Sequence, residues 1–234
     1  STRDKLLRKE TGMVPFQLAD IAVLREDGTE CGYNEYGKLV ANSFCTMKGY
    51  VDNPEANKAF HVTDAYGRVW GNCDVWAYIN NNGNVVMKGR YSNVVPLKDG
   101  TVIPMFFVGD TMMDDNSSIL SCEVVKPIDS DHDCLVAYIE KQPDFDYPDE
   151  FVLFNAERRC REALPDELSD KILFRMCDHD NPYPLTKSGK RSVGALEKAG
   201  IDEFCVKPDL TTLRLVPATE YLSSDKAKSL SLQK

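Results

Sequence analysis

Val75-Trp76-Ala77-Tyr78-Ile79-Asn80-Asn81-Asn82-Gly83-Asn84-Val85-Val86-Met87 reads as two short strands around a tight turn. Asn and Gly tolerate the positive φ angles a hairpin turn demands, and the flanking aromatic and β-branched residues suit a pleated surface. Upstream the same grammar recurs: Ile21-Ala22-Val23-Leu24, the turn signal Asp27-Gly28, then Leu39-Val40. Apolar runs of this length broken by turn residues predict strands, so the first ninety residues are expected to be largely β. Trp70, Trp76 and Tyr78 can flank a planar ligand, but packing on strand faces is the simpler reading.

Beyond Arg90 the pattern changes. Val94-Val95, the turn Lys98-Asp99-Gly100 and Val102-Ile103 predict a hairpin, and Ser121 to Val125 and Leu135 to Ile139 predict further strands. Pro148-Asp149-Glu150 opens a helix: Leu153, Ala156, Cys160, Ala163 and Leu164 recur at three and four, with acidic residues in the first turn. The acidic run Asp144 to Glu150 is accordingly a loop and a helix start. Ile172 to Met176 reads as a strand and Ser192 to Lys198 as a short helix ending before Gly200. The tail from Pro217, running into Ser- and Lys-rich sequence, is expected to be mobile. There is no internal repeat, and the fold class is α+β.

The chain has 234 residues, 42% of them apolar, enough for one large core or two modest ones. A formal charge of -9 argues against a nucleic-acid partner. No apolar run approaches the ~20 residues that span a membrane, and Ser1-Thr2-Arg3-Asp4 is no signal peptide, so a cytoplasmic protein is expected. The eight cysteines (Cys31, Cys45, Cys73, Cys122, Cys134, Cys160, Cys177 and Cys205) contain no Cys-x-x-Cys pair and read as reduced, mostly buried thiols. His132-Asp133-Cys134 and Cys177-Asp178-His179-Asp180 are local acidic turns without a second ligand pair at zinc spacing, so no metal site is expected.

One stretch carries chemistry. Pro184-Leu185-Thr186-Lys187-Ser188-Gly189-Lys190-Arg191 is a Pro-led, Gly-containing turn that presents Lys190, whose compact ammonium suits a transient negative charge on a phosphate or carboxylate. It is not a phosphate-binding P-loop, because Pro184 holds the place of the first glycine and Arg191 that of the magnesium-binding hydroxyl. Alone, it also fits an ordinary basic loop.

Four blocks in order take it further. Gly37-Lys38-Leu39-Val40-Ala41-Asn42-Ser43, followed by Met47-Lys48-Gly49-Tyr50 and Asn53-Pro54-Glu55-Ala56, is the first; Asp74 with Gly83-Asn84-Val85-Val86-Met87-Lys88-Gly89-Arg90 is the second; Pro104 and the Pro184–Lys190 turn follow. Together, over about residues 12 to 198, the chain resembles the acyl-adenylate-forming enzymes: acyl-CoA synthetases, peptide-synthetase adenylation domains and luciferases. The resemblance implies the β-barrel-like subdomain of the large core over residues 1–90, with Thr11-Gly12 to Phe16 leading in. A small α+β C-terminal lid follows over 91–200, and 201–234 is a partly mobile extension. It implies ATP with magnesium, a carboxylic acid substrate, and CoA or carrier-bound phosphopantetheine as the thiol acceptor. Lys190 would be the catalytic lysine, Asp74 and Arg90 would bind the nucleotide, and Ser92 would be the hinge about which the lid swings. A carboxylate oxygen pair can clamp vicinal ribose hydroxyls, and a guanidinium fork can reach a ribose or phosphate oxygen; otherwise Asp74 is a turn aspartate and Arg90 a surface ion pair.

The departures are specific. Cys73 replaces the glycine before Asp74, one extra residue separates Asp74 from Gly83, and Lys38 replaces the usual acidic residue. Ser92-Asn93 stands where the family has Asp or Lys, then Asp, at the hinge, and Lys98-Asp99-Gly100 replaces a paired-glycine loop. The upstream phosphate loop and acyl pocket have no counterpart in this chain. Two functions are therefore in view. One is the C-terminal part of an ATP-dependent acid–thiol ligase, inactive alone and partnered by an upstream core of the same enzyme and by a carrier protein in some members. The alternative is a diverged, non-catalytic module binding a nucleotide or a partner.

Overall fold

The predicted hairpin sits where the sequence puts it, between β4 (Val69–Ile79) and β5 (Val85–Arg90), with Ile79 opposite Val85. In this computed structural model, which describes residues 19–113, 118–128, 130–178, 182–189 and 191–224, Gly83 has φ +73. Its N–H donates to the Asn80 carbonyl at 2.8 Å. The expected lead-in at Thr11 to Phe16 lies outside the described residues.

The chain divides into two compact units, one up to Val94 and one from Val95. The first is an antiparallel sheet. β1 (Ala19–Leu24) pairs with β2 (Gly37–Ser43), and β2 with one edge of β4; the other edge of β4 takes β3 (His61–Thr63) at its start and β5 at its end. The sheet is curled, as the resemblance to a barrel subdomain implied. Successive side chains of a strand point to opposite faces, and here both faces are covered: Ala22, Leu24, Val40 and Trp70 form one cluster and Val23, Leu39, Ala77 and Val85 another. Helix α1 (Pro54–Phe60) starts at Asn53, whose side chain accepts from Ala56 N at 3.0 Å, with Pro54 in the first turn.

The second unit has a five-stranded sheet in the order β12-β11-β10-β9-β8, beside the small hairpin β6 (Val94–Pro96) and β7 (Val102–Pro104). The five strands are β8 (Ile119–Val125), β9 (Leu135–Lys141), β10 (Ile172–Cys177), β11 (Val206–Asp209) and β12 (Arg214–Pro217). β9 and β10 are parallel, joined through α3 (Asp149–Ala163) and α4 (Asp166–Ser169). These two central strands read as continuous apolar runs because both faces are buried. Leu135, Ala137, Ile139, Ile172 and Phe174 meet α3 and α2 (Met105–Met113). Val136, Tyr138 and Leu173 meet Leu196 of α5 (Val193–Ala199) and Ala218 of α6 (Ala218–Ser223).

Two details differ from expectation. Ala163 is exposed, and the buried stripe of α3 instead includes Val152 and the charged Glu157. Residues beyond 200 supply β11, β12 and α6, so this stretch belongs to the sheet rather than extending from it. Lys207 and Ala218 are buried within it, and the Tyr221 hydroxyl donates to the Asp170 carbonyl at 3.0 Å. Residues 225–234 lie outside the described residues. All eight cysteines are free; Cys134, Cys160, Cys177 and Cys205 are buried, Cys45 is exposed, and the other three are half-buried. No described helix is long and apolar enough to cross a membrane.

Candidate functional site

Asp74 lies where β4 leaves regular geometry. Its φ is +51, a left-handed conformation that Asp tolerates better than most residues, and its N–H donates to the Asn72 side chain at 2.8 Å. Just beyond, Trp76 opposes both Lys88 and Gly89, between the pairs Val75–Arg90 and Ala77–Met87, and a bulge of this kind re-aims the strand ends. The result brings residues 74, 90 and 92 together. One Asp74 carboxylate oxygen accepts from the Ser92 N–H at 3.0 Å and the other from its hydroxyl at 3.1 Å. Arg90 Nη1 stands 3.7 Å from the second oxygen, and the Tyr91 N–H donates to the Asp74 carbonyl at 3.1 Å.

Between them, Tyr91 is held on three sides. Its ring stacks on Trp76 at 4.3 Å between centroids, Lys38 Nζ lies 4.5 Å from its centre, and its hydroxyl donates to Glu26. Burial, with the Glu26 carboxylate second, pushes the phenol's pKa well up, so it stays a donor. Sequence reading missed this stack. Lys38 and Tyr91 are 53 positions apart, by subtraction of their numbers, and nothing local announces that they meet. Trp70 is instead a core residue whose indole donates to Asp64, and Tyr78 packs edge-on against Tyr36.

In the second unit, Lys190 itself lies outside the described residues. The turn around it is described. Gly189, at φ +76, donates to the Thr186 carbonyl at 2.9 Å, Leu185 pairs with Arg191, and the Ser192 N–H closes onto the Pro184 carbonyl at 2.8 Å. Leu185 is exposed while Tyr183 is buried, so the turn projects from a fixed base. The hairpin turn expected to replace a paired-glycine loop is tied by the Lys98 N–H to Glu167 of α4 at 3.0 Å. Asp133, of the His132-Asp133-Cys134 cluster, pairs with Lys171 at 2.8 Å and Lys126 at 3.1 Å. His179 and Asp180 of the other cluster lie outside the described residues.

No family model and no curated protein matches the chain. Solved structures do. NpsA of Klebsiella oxytoca, in complex with 3-hydroxyanthranilyl-AMSN, is similar with a TM-score of 0.59 at 19% identity over 80% of this chain and 36% of that one. ATP-bound MatB from Rhodopseudomonas palustris gives 0.57 at 17%, covering 80% and 35%. The anthranilate CoA ligase AuaEII, in complex with anthranoyl-AMP, gives 0.55 at 17%, covering 80% and 34%. The chain thus spans about a third of the length of the structures it matches, and it shares its fold with that portion of the adenylate-forming enzymes.

Proposed function

We propose that this chain is the C-terminal part of an ATP-dependent acid-activating ligase, which joins a carboxylic acid to AMP and then passes the acyl group to a thiol. The observation that carries the reading is the likeness to structures holding ATP and anthranoyl-AMP; the meeting of Asp74, Arg90 and Ser92 around one turn agrees with it. In this reading the first unit is the end of the core and the second is the lid. The carboxylate attacks the α-phosphate of ATP, pyrophosphate leaves, and Lys190 offsets negative charge gathering on both reactants, an effect worth several kcal/mol for a well-placed group. Magnesium travels with ATP, and CoA or a carrier pantetheine supplies the thiol. Asp74 retains lone pairs beyond those used by Ser92 for ribose hydroxyls, and Arg90, largely exposed, is free to turn toward a phosphate. Lid rotation of this kind commonly gates turnover.

A second reading, a non-catalytic module, draws on the same carboxylate: both oxygens of Asp74 already serve Ser92, the work of a turn aspartate. One experiment separates the two. In the intact protein, acid-dependent exchange of pyrophosphate into ATP is expected, and Lys190→Ala should lower it at least about a hundredfold. Exchange that survives the substitution removes Lys190 from the chemistry; no exchange with any carboxylic acid favours the module.

A further inference from the structure

The turn that carries Lys190 has a built foundation, and its keystone is the next residue. The Arg191 guanidinium lies over the Tyr183 ring, 4.5 Å from its centre, and Nη2 stands 3.3 Å from Glu140 Oε2 at the end of β9. That same oxygen accepts the Ser121 hydroxyl from β8 at 2.9 Å. The Tyr183 ring is buried, and its hydroxyl donates to the Tyr138 carbonyl in the middle of β9 at 2.5 Å. Glu123, on β8, feels the same charge: burial raises its pKa and the Arg191 charge lowers it. The Tyr183 ring and the Glu140 carboxylate that hold Arg191 are therefore both tied to the paired strands β8 and β9.

We infer that Arg191, clamped between the Tyr183 ring and Glu140, is the positioning residue of the lysine turn, fixing the chain immediately after position 190 against the sheet edge. A flexible ammonium on an exposed turn loses effectiveness if its backbone wanders, and misplacement by about 1 Å can cost a hundredfold in rate. Arg suits the post better than Lys because its plane stacks on the ring while its fork faces the carboxylate. The inference rests on the reading of Lys190 as the adenylating lysine, and its test keeps the two apart.

The first arm needs no activity. Amide hydrogen exchange at Gly189 and Ser192, whose N–H groups close the turn, should rise about fivefold in Arg191→Met and in Tyr183→Leu, matching the loss of a cation–π contact and a partly exposed ion pair. Amides of β9 and β10 should keep their protection, which also certifies the fold, and Arg191→Lys should fall between. Wild-type exchange at Gly189 and Ser192 in both variants overturns the anchor. The second arm uses the intact enzyme. Arg191→Met should cut kcat for pyrophosphate exchange about tenfold with KM for ATP held, and leave transfer from preformed acyl-AMP to the thiol unchanged. Equal loss in both half-reactions overturns positioning in favour of general destabilisation. If Lys190→Ala spares exchange, the functional reading fails while the first arm still decides the anchor.

Discussion

Asp64 gathers four hydrogen bonds in the first unit, two of them from backbone. Its buried carboxylate accepts from Tyr66 N and Arg68 N at 2.9 Å each, from Arg68 Nε at 2.6 Å and from the Trp70 indole at 2.9 Å. Burial alone would raise its pKa, but the hydrogen bonds from Trp70, Arg68 and Tyr66 outweigh it and hold the group at about 2. A carboxyl depressed in the fold stabilises it above the unfolded pKa and loses that contribution as pH falls through the folded value. Resistance of the wild type to urea should therefore fall steadily from about pH 4 to pH 2. Asp64→Asn should be less stable at neutral pH and show a shallower slope in that window; an unchanged slope would mean that other carboxyls set the acid limit. Asp74 uses a similar geometry at an exposed site, tying residue 92 to the bend in β4. Any pivot at Ser92 must therefore first release two hydrogen bonds.

At the scale of elements, β2 depends on a close approach that only glycine permits. A Cβ on Gly37 would fall 2.5 Å from the Leu24 carbonyl oxygen and 2.6 Å from Cys31 Sγ. The first of these is backbone of β1, which cannot step aside without breaking its ladder with β2. Gly37→Ala should cost about 1–3 kcal/mol, the range for overpacking, and a urea melt with unchanged m-value would read it directly. Elements with strong local signals are the ones that sequence reading found: the Asn-Gly turn, the Asp-Gly turn and the periodic, acid-led α3. Helix α2 escaped it. Met105–Met113 follows Pro104 with no acidic first turn and no basic last turn, and it buries Met105, Val108 and Met112. The helix is held by tertiary burial, as most helices in proteins are.

For the molecule as a whole, the second unit is closed by a buried ion pair between elements far apart in sequence. Lys207 on β11 donates to Glu157 of α3 at 2.8 Å and to the carbonyls of Ser169 at 2.6 Å and Ile172 at 3.0 Å, which satisfies all three of its protons. Burial lowers its pKa, opposed by the Glu157 charge. Breaking a buried pair is worse than lacking one, so Lys207→Met should destabilise by about 3–5 kcal/mol, with Lys207→Met combined with Glu157→Leu recovering much of it in a double-mutant cycle. A single variant no worse than the double would remove the pair from the closure. This contact also explains why a boundary after residue 200 looked reasonable in the sequence: the short, Pro-containing runs at 206 and 214 become strands only because β10 offers an edge and α3 offers Glu157. By itself, the sequence determined the α+β class, the hairpins, the helix after Pro148 and the ordered blocks behind the resemblance, because turn chemistry and apolar periodicity act within a few residues. Tertiary structure alone decided the engagement of Asp74 by Ser92, the Trp76–Tyr91–Lys38 stack, the seating of Arg191 between Tyr183 and Glu140, and the place of residues beyond 200. Each of these joins residues that only strand pairing, a bulge or a shared core brings within reach.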